Sequence, residues 1–103
     1  MENITNKDEL LEQILNELDH TFHDEAFEKK INGIIKRGKA YLNDKFGSEI
    51  NFAEDGIAME LLVSYCRYGR SNAIEQFRHD FQTELTALAL RGALKSAESG
   101  ETQ

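Results

Sequence analysis

The sequence predicts an all-α domain, a small bundle of about four helices. Apolar residues recur at steps of three and four through four separate segments. The 103-residue chain contains no proline, so no helix interior is interrupted by a missing donor. β-branched residues are sparse outside the helical patterns. At this length the chain is one domain, residues 1–95, followed by a small, polar tail, 96–103, expected to be disordered. A domain of this size buries roughly 60–70% of its extended-chain surface, enough for one core without staples.

Helix one is expected from about Asn6 to Leu18. Thr5 can cap it, with Asp8 three residues on. Leu11, Ile14, Leu15 and Leu18 form its apolar stripe. Asp19 to Asp24 read as a polar turn, and Thr21 or Asp24 caps helix two, which runs to about Lys45. The buried face of helix two is Phe27, Ile31, Ile34, Ile35, Gly38 and Leu42. Gly38 lies on that face, where a missing side chain lets another helix approach; it costs about 1 kcal/mol of helix propensity against alanine. Gly33 has no evident role. Gly47 reads as a left-handed cap.

Residues 48–55 are expected to form an irregular loop that pins Ile50 and Phe52 to the core. Asp55 or Glu54 caps helix three, from Gly56 to about Tyr68, with Ala58, Leu61, Leu62 and Tyr65 on one face. Gly69-Arg70-Ser71-Asn72 breaks the pattern, and both a true turn and a kink fit the sequence. Helix four is expected from about Asn72 to Leu94. Ile74, Phe77, Phe81, Leu85 and Leu88 line its apolar face, with Phe81 read as core.

The chain has 12 basic and 19 acidic residues, a net charge of −7. That argues against general nucleic-acid affinity, which needs clustered Lys and Arg. No apolar run approaches a membrane span and no signal-peptide core is present, so the expected location is the cytoplasm. The lone Cys66 cannot pair within the chain and reads as a small buried residue. No nucleotide-binding glycine loop, nucleophile elbow or Cys–His constellation is present. His20 and His23 lack the i, i+4 spacing of two ligands on one helix face. No catalytic residue, metal ligand or cofactor site is expected.

Charge is segmented along the chain. Residues 1–28 carry nine acids and one base, −8 net, whereas residues 29–45 carry six bases and one acid, +5 net. Lys29, Lys30, Lys36, Arg37, Lys39 and Lys45 spread around the polar face of helix two. This fits a solvated face or a protein–protein surface. As a surface, it would let a basic patch on one copy meet an acidic patch on the next, head to tail. The two segments are also adjacent enough to pair within one subunit as antiparallel helices. Arg67, Tyr68 and Arg70, at the helix break, are of the types enriched in interface hot spots. The candidate interface residues are therefore Lys29, Lys30, Lys36, Arg37, Arg67, Tyr68 and Arg70.

Three segments also carry a family resemblance. They are Lys36-Arg37-Gly38-Lys39-Ala40-Tyr41-Leu42-Asn43; Glu54-Asp55-Gly56 followed by Leu61 to Tyr68; and Asn72-Ala73-Ile74-Glu75 with Phe77, Phe81, Glu84 and Leu85. In order and spacing they resemble small phage head–tail connector proteins, over about residues 8–92. The resemblance implies an all-helical subunit of a ring beneath the portal of a tailed phage or prophage. Its implied partners are further copies of itself, the portal protein and the next neck or tail completion protein. DNA would pass through the channel without specific binding. The implied location is the bacterial cytoplasm during assembly and then the virion neck. A segmented charge suits such a ring, and an acidic lumen would repel phosphate. A small acidic regulatory or adaptor protein, including a DNA-mimic inhibitor, would share the helices and the charge. It would more readily spread its acids over one surface than confine a +5 stretch to one helix.

Overall fold

The computed structural model describes residues 11–16 and 25–100. All secondary structure among them is helical: α1 (residues 11–16), α2 (Glu25–Phe46), α3 (Gly56–Arg70), α4 (Ile74–Asp80) and α5 (Gln82–Gly100). The all-α class agrees with the sequence, but the count is five described helices rather than four. The Thr5 and Thr21/Asp24 caps, Leu18 and the His20–His23 turn lie outside the described residues. No described helix is long and apolar enough to cross a membrane.

α2 is the central element. α3 packs along it on one side and α5 on another, while α4 bridges α3 and α5. Its buried residues are Ile31, Ile34, Ile35, Gly38, Leu42 and Phe46, the apolar stripe at steps of three and four. Phe27 and Leu11 are only partly buried at the edge of the same core. Ile14 and Leu15 are fully enclosed.

Two glycines set how closely the helices approach. A Cβ on Gly38 would lie 2.7 Å from Tyr65 Cδ1 and 2.9 Å from Leu62 Cδ1, so α3 sits where only glycine leaves room. Gly92 is tighter still. A Cβ there would collide with the backbone carbonyl of Phe46. One Cα–H of Gly92 therefore points at a carbonyl in the last turn of α2, where helix carbonyls lack intrahelical partners. The sequence reading did not single out Gly92, although it sits at helical spacing from Leu85 and Leu88 on the buried face.

The turns follow from local chemistry. Gly47 has φ +96° and donates its N–H to the Asn43 carbonyl at 2.8 Å, the left-handed stop expected for α2. Asn43 also accepts the Ile50 N–H through its side chain at 2.9 Å. That bond directs the loop inward, and Ile50 and Phe52 are both buried. Asp55 caps α3, accepting the Ala58 N–H at 3.1 Å.

The break after α3 is a true turn. Asn72, not Gly69, takes the left-handed conformation, with φ +56°. Asn72 donates to the Gly69 carbonyl at 3.0 Å and Ala73 to the Tyr68 carbonyl at 2.8 Å, the paired bonds of a Schellman ending. Gly69 stays helical, and a Cβ there would approach Ile34 Cγ2 at 2.9 Å. Its role is packing against α2.

The expected single helix from Asn72 to Leu94 is two. At Phe81 the backbone turns to φ −108°, ψ 22°. The hydrogen-bond ladder nonetheless spans the bend, with Phe81 N–H on the Phe77 carbonyl and Leu85 N–H on that of Phe81. The bend turns the chain from α3 toward α2. It has no glycine or proline to mark it, so tertiary packing decides it. α5 also continues to Gly100, making residues 96–100 helical where an irregular tail was expected.

Phe81 is only partly buried, whereas Phe77 is fully enclosed. Phe77 touches four rings: Tyr41, Tyr65 and Tyr68 edge-on at 6.4, 5.4 and 5.8 Å, and Phe81 stacked at 5.0 Å. The largest truncation cost therefore moves from Phe81 to Phe77. Met59 and Val63 of α3, outside the expected stripe, are buried beside Ala58, Leu61, Leu62, Tyr65 and Cys66.

Two outcomes are expected in urea denaturation. Phe77→Ala costs about 3–5 kcal/mol, and Phe81→Ala distinctly less; equal losses would contradict the ring packing. Glycine-to-alanine changes separate by position. Gly92→Ala and Gly38→Ala each destabilise by about 1–3 kcal/mol through overpacking. Gly33→Ala, whose Cβ would meet only Arg37 Nη1 at 3.5 Å, is neutral or stabilising by up to about 1 kcal/mol.

Candidate functional site

The candidate basic residues divide by their surroundings. Lys29, Lys30, Lys36 and Arg37 are exposed on α2, and Arg37 borders the groove where α2 meets Gly69, Asn72 and Ile74. Lys39 is half-buried. Lys45 has its ammonium 5.4 Å from the centre of the Tyr41 ring.

Tyr68 is tied into the subunit. Its ring packs edge-on to Phe77 and Phe81 at 5.8 Å each, and its hydroxyl donates to Asp80 Oδ2 at 2.8 Å. Gln76 Nε2 donates to the other oxygen of Asp80 at 2.8 Å. The Gln76 and Tyr68 bonds hold the Asp80 carboxyl below its ordinary range. The same bond to Asp80 raises the Tyr68 phenol because it favours the neutral donor. Arg67 is exposed and Arg70 half-buried at the end of α3, where positive charge complements the helix carbonyls.

A second charged region forms where the 47–55 loop, the start of α3 and the flank of α5 meet. These segments enclose an open groove of about 700 Å³. Phe46, Ile50 and Ile57 supply apolar surface; Glu49, Glu54 and Glu60 stand exposed around it. Arg91 and Lys95 form the α5 side, each stacked over the Phe46 ring at 5.6 and 5.7 Å. Arg91 Nη2 also donates to Asp55 Oδ2 at 2.9 Å. One carboxylate thus caps α3 and binds α5 at once. Partial burial pushes the Asp55 carboxyl upward, but the Ala58 N–H and the Arg91 guanidinium outweigh it and leave the net shift downward.

Along α2 a separate concavity of about 490 Å³ has Gly33, Ile35 and Ala40 in its lining, with Lys36 and Lys39 beside them. The lysines were legible in the sequence, the concavity was not. Two small residues in its lining, Gly33 and Ala40, lie one above the other on the helix at a seven-residue interval. That spacing was readable in principle.

Cys66 is fully buried, and burial pushes its thiol up to about 12, so it stays protonated and unreactive near neutral pH. Among the described residues no group of three or more His, Cys, Asp or Glu side chains is arranged to hold a metal. His79 is exposed, with Nδ1 3.4 Å from Asp80 Oδ1. The described arrangement offers charge and shape for binding.

Asp55 gives a pH-dependent outcome. A carboxyl lowered in the folded state stabilises the fold above its unfolded pKa, and that stability is lost as pH falls through the folded value. Acidification below about pH 4 should therefore weaken the junction of α3 and α5. Asp55→Ala should cost about 1–2 kcal/mol at neutral pH through loss of the cap. It should also flatten the acid limb of a thermal-stability profile against pH. An unchanged acid limb would show that Asp55 does not couple the two helices.

Comparison of the chain with protein-family models, curated proteins and solved structures finds no match.

Proposed function

We propose that this chain is a structural subunit of a head–tail connector, a ring beneath the portal of a tailed phage or prophage. The ring would extend the DNA channel and dock the next neck or tail component. The observation that carries the reading is the separation of charge on one small helical domain. Lys29, Lys30, Lys36 and Arg37 lie exposed on α2, and Glu49, Glu54 and Glu60 lie exposed around the loop and the start of α3. Opposite patches at different places on one subunit favour contacts between unlike faces, and such contacts close into rings when the rotation allows. The segment resemblance in α2, α3 and α4 supports the same reading.

The channel function asks little chemistry of the protein. DNA must pass without being held, and a subunit with a −7 net charge disfavours persistent phosphate contacts. The working parts are then the surfaces that meet neighbouring subunits, the portal and the next neck component.

Sedimentation velocity tests this reading. At low salt and high protein concentration the chain is expected to sediment as species larger than a monomer, and added salt is expected to reduce them. Lys36→Glu/Arg37→Glu should abolish this association while leaving the melting temperature of the subunit unchanged. A lowered melting temperature with association intact would place these charges in contacts within one subunit. Association indifferent to both charge reversal and salt would mean an apolar interface.

A further inference from the structure

Two surface features of this chain complement each other in charge, and no described residue forms an ion pair with the charged groups of either. The first is an exposed apolar side chain on the lining of the loop groove. Ile57, the second residue of α3, is 61% exposed despite lying beside the Asp55 cap. Glu60 follows it three residues on, on the same side of the helix, and Glu54 precedes it from the loop. The second is the 490 Å³ concavity along α2, with Gly33 and Ala40 in its lining and Lys36 and Lys39 beside it. None of Glu54, Glu60, Lys36 and Lys39 forms an ion pair with a described residue.

We propose that Ile57 of one copy seats in the α2 concavity of the next, with Glu54 and Glu60 meeting Lys36 and Lys39. The inference rests on the ring reading and assigns the two faces that such a ring would join. A second copy is the occupant because both halves of the contact, opposite in sign, are present on the same chain. The two features share no residue, so the contact is head-to-tail and repeats from subunit to subunit. The carboxylates would steer the approach and fix its register, while the isoleucine supplies the apolar anchor. Leu90 and Leu94 on α5 are also exposed, at 60% and 59%. They take no part in this contact.

The test is disulfide trapping with Ala40→Cys/Ile57→Cys. Both positions are exposed, so the substitutions spare the core, and buried Cys66 does not compete for oxidation. Mild oxidation at low salt should give a ladder of linked species extending beyond the dimer, which neither single variant produces. In that background, Glu54→Lys/Glu60→Lys should abolish the ladder, as should Lys36→Glu/Lys39→Glu. Mixing the two reversed proteins should restore it, since each then offers the other an opposite charge. An unchanged helical circular dichroism spectrum certifies each variant as folded. No ladder, with a wild-type chain that still sediments as a multimer, overturns this contact and leaves the ring reading standing. A ladder that survives either charge reversal also overturns it. A wild-type chain that stays monomeric at every concentration and gives no ladder overturns both.

Discussion

The fold depends on how closely two helices approach α2. At Gly38 the side chains of Leu62 and Tyr65 occupy the space a Cβ would need. At Gly92 the α5 backbone lies directly on the last carbonyl of α2. These contacts fix α3 and α5 on one scaffold with little freedom to slide, because packed interiors tolerate neither added volume nor voids. The rest of the domain is arranged around them. The loop from Gly47 to Asp55 has to return the chain from the end of α2 to the start of α3. Asn43 and Asp55 secure its two ends through single side-chain hydrogen bonds. Asp55 then reaches α5 through Arg91, so a capping residue also joins the two helices that flank α2.

The aromatic cluster explains why α4 exists as a separate helix. Phe77 is enclosed by rings from α2, α3 and the bend itself. Edge-on aromatic pairs favour particular orientations as well as burial. Holding Phe77 against α3 while α5 reaches α2 requires the helix axis to turn between them, and the turn falls at Phe81. The same geometry leaves Phe81 at the margin, stacked on Phe77 and touching Tyr68 but partly open to solvent.

Much of this was legible in the sequence because the relevant signals are local. The stripe from Ile31 to Leu42, the Gly47 stop and a cap at Glu54 or Asp55 each follow from residue type at a fixed offset, and the break after Tyr68 was visible although turn and kink both fitted it. What was not legible depends on tertiary partners. Gly69 looked like the turn residue, yet it remains helical for close packing while Asn72 takes the left-handed conformation. The bend at Phe81 keeps its hydrogen-bond ladder and has no breaker residue, so periodicity ran straight through it. Met59 and Val63 are buried because α3 is enclosed over a wider arc than one stripe. Among the surface candidates, exposure of the α2 lysines followed from their place outside the apolar stripe. Engagement of Tyr68 by Asp80 did not, since the two are joined only by the turn that brings α4 back onto α3.

The charges left outward constrain function more than those turned inward. Within the subunit, Arg91 is matched to Asp55, and Asp80 is matched to Tyr68 and Gln76. These pairs sit at helix junctions and act on the fold. Lys36, Lys39, Glu54 and Glu60 have no such partner among the described residues, and they border the α2 concavity and the exposed Ile57. Isolated surface charges contribute little to stability, so the described part of the fold gives no reason for them to be grouped by sign. Association supplies one: repulsion between like faces suppresses wrong pairings, and attraction between unlike faces orients the right one. A subunit built this way can remain folded whether or not it is assembled. Its interior carries the stability, and on the proposed reading its segregated surface charge would carry the order of assembly.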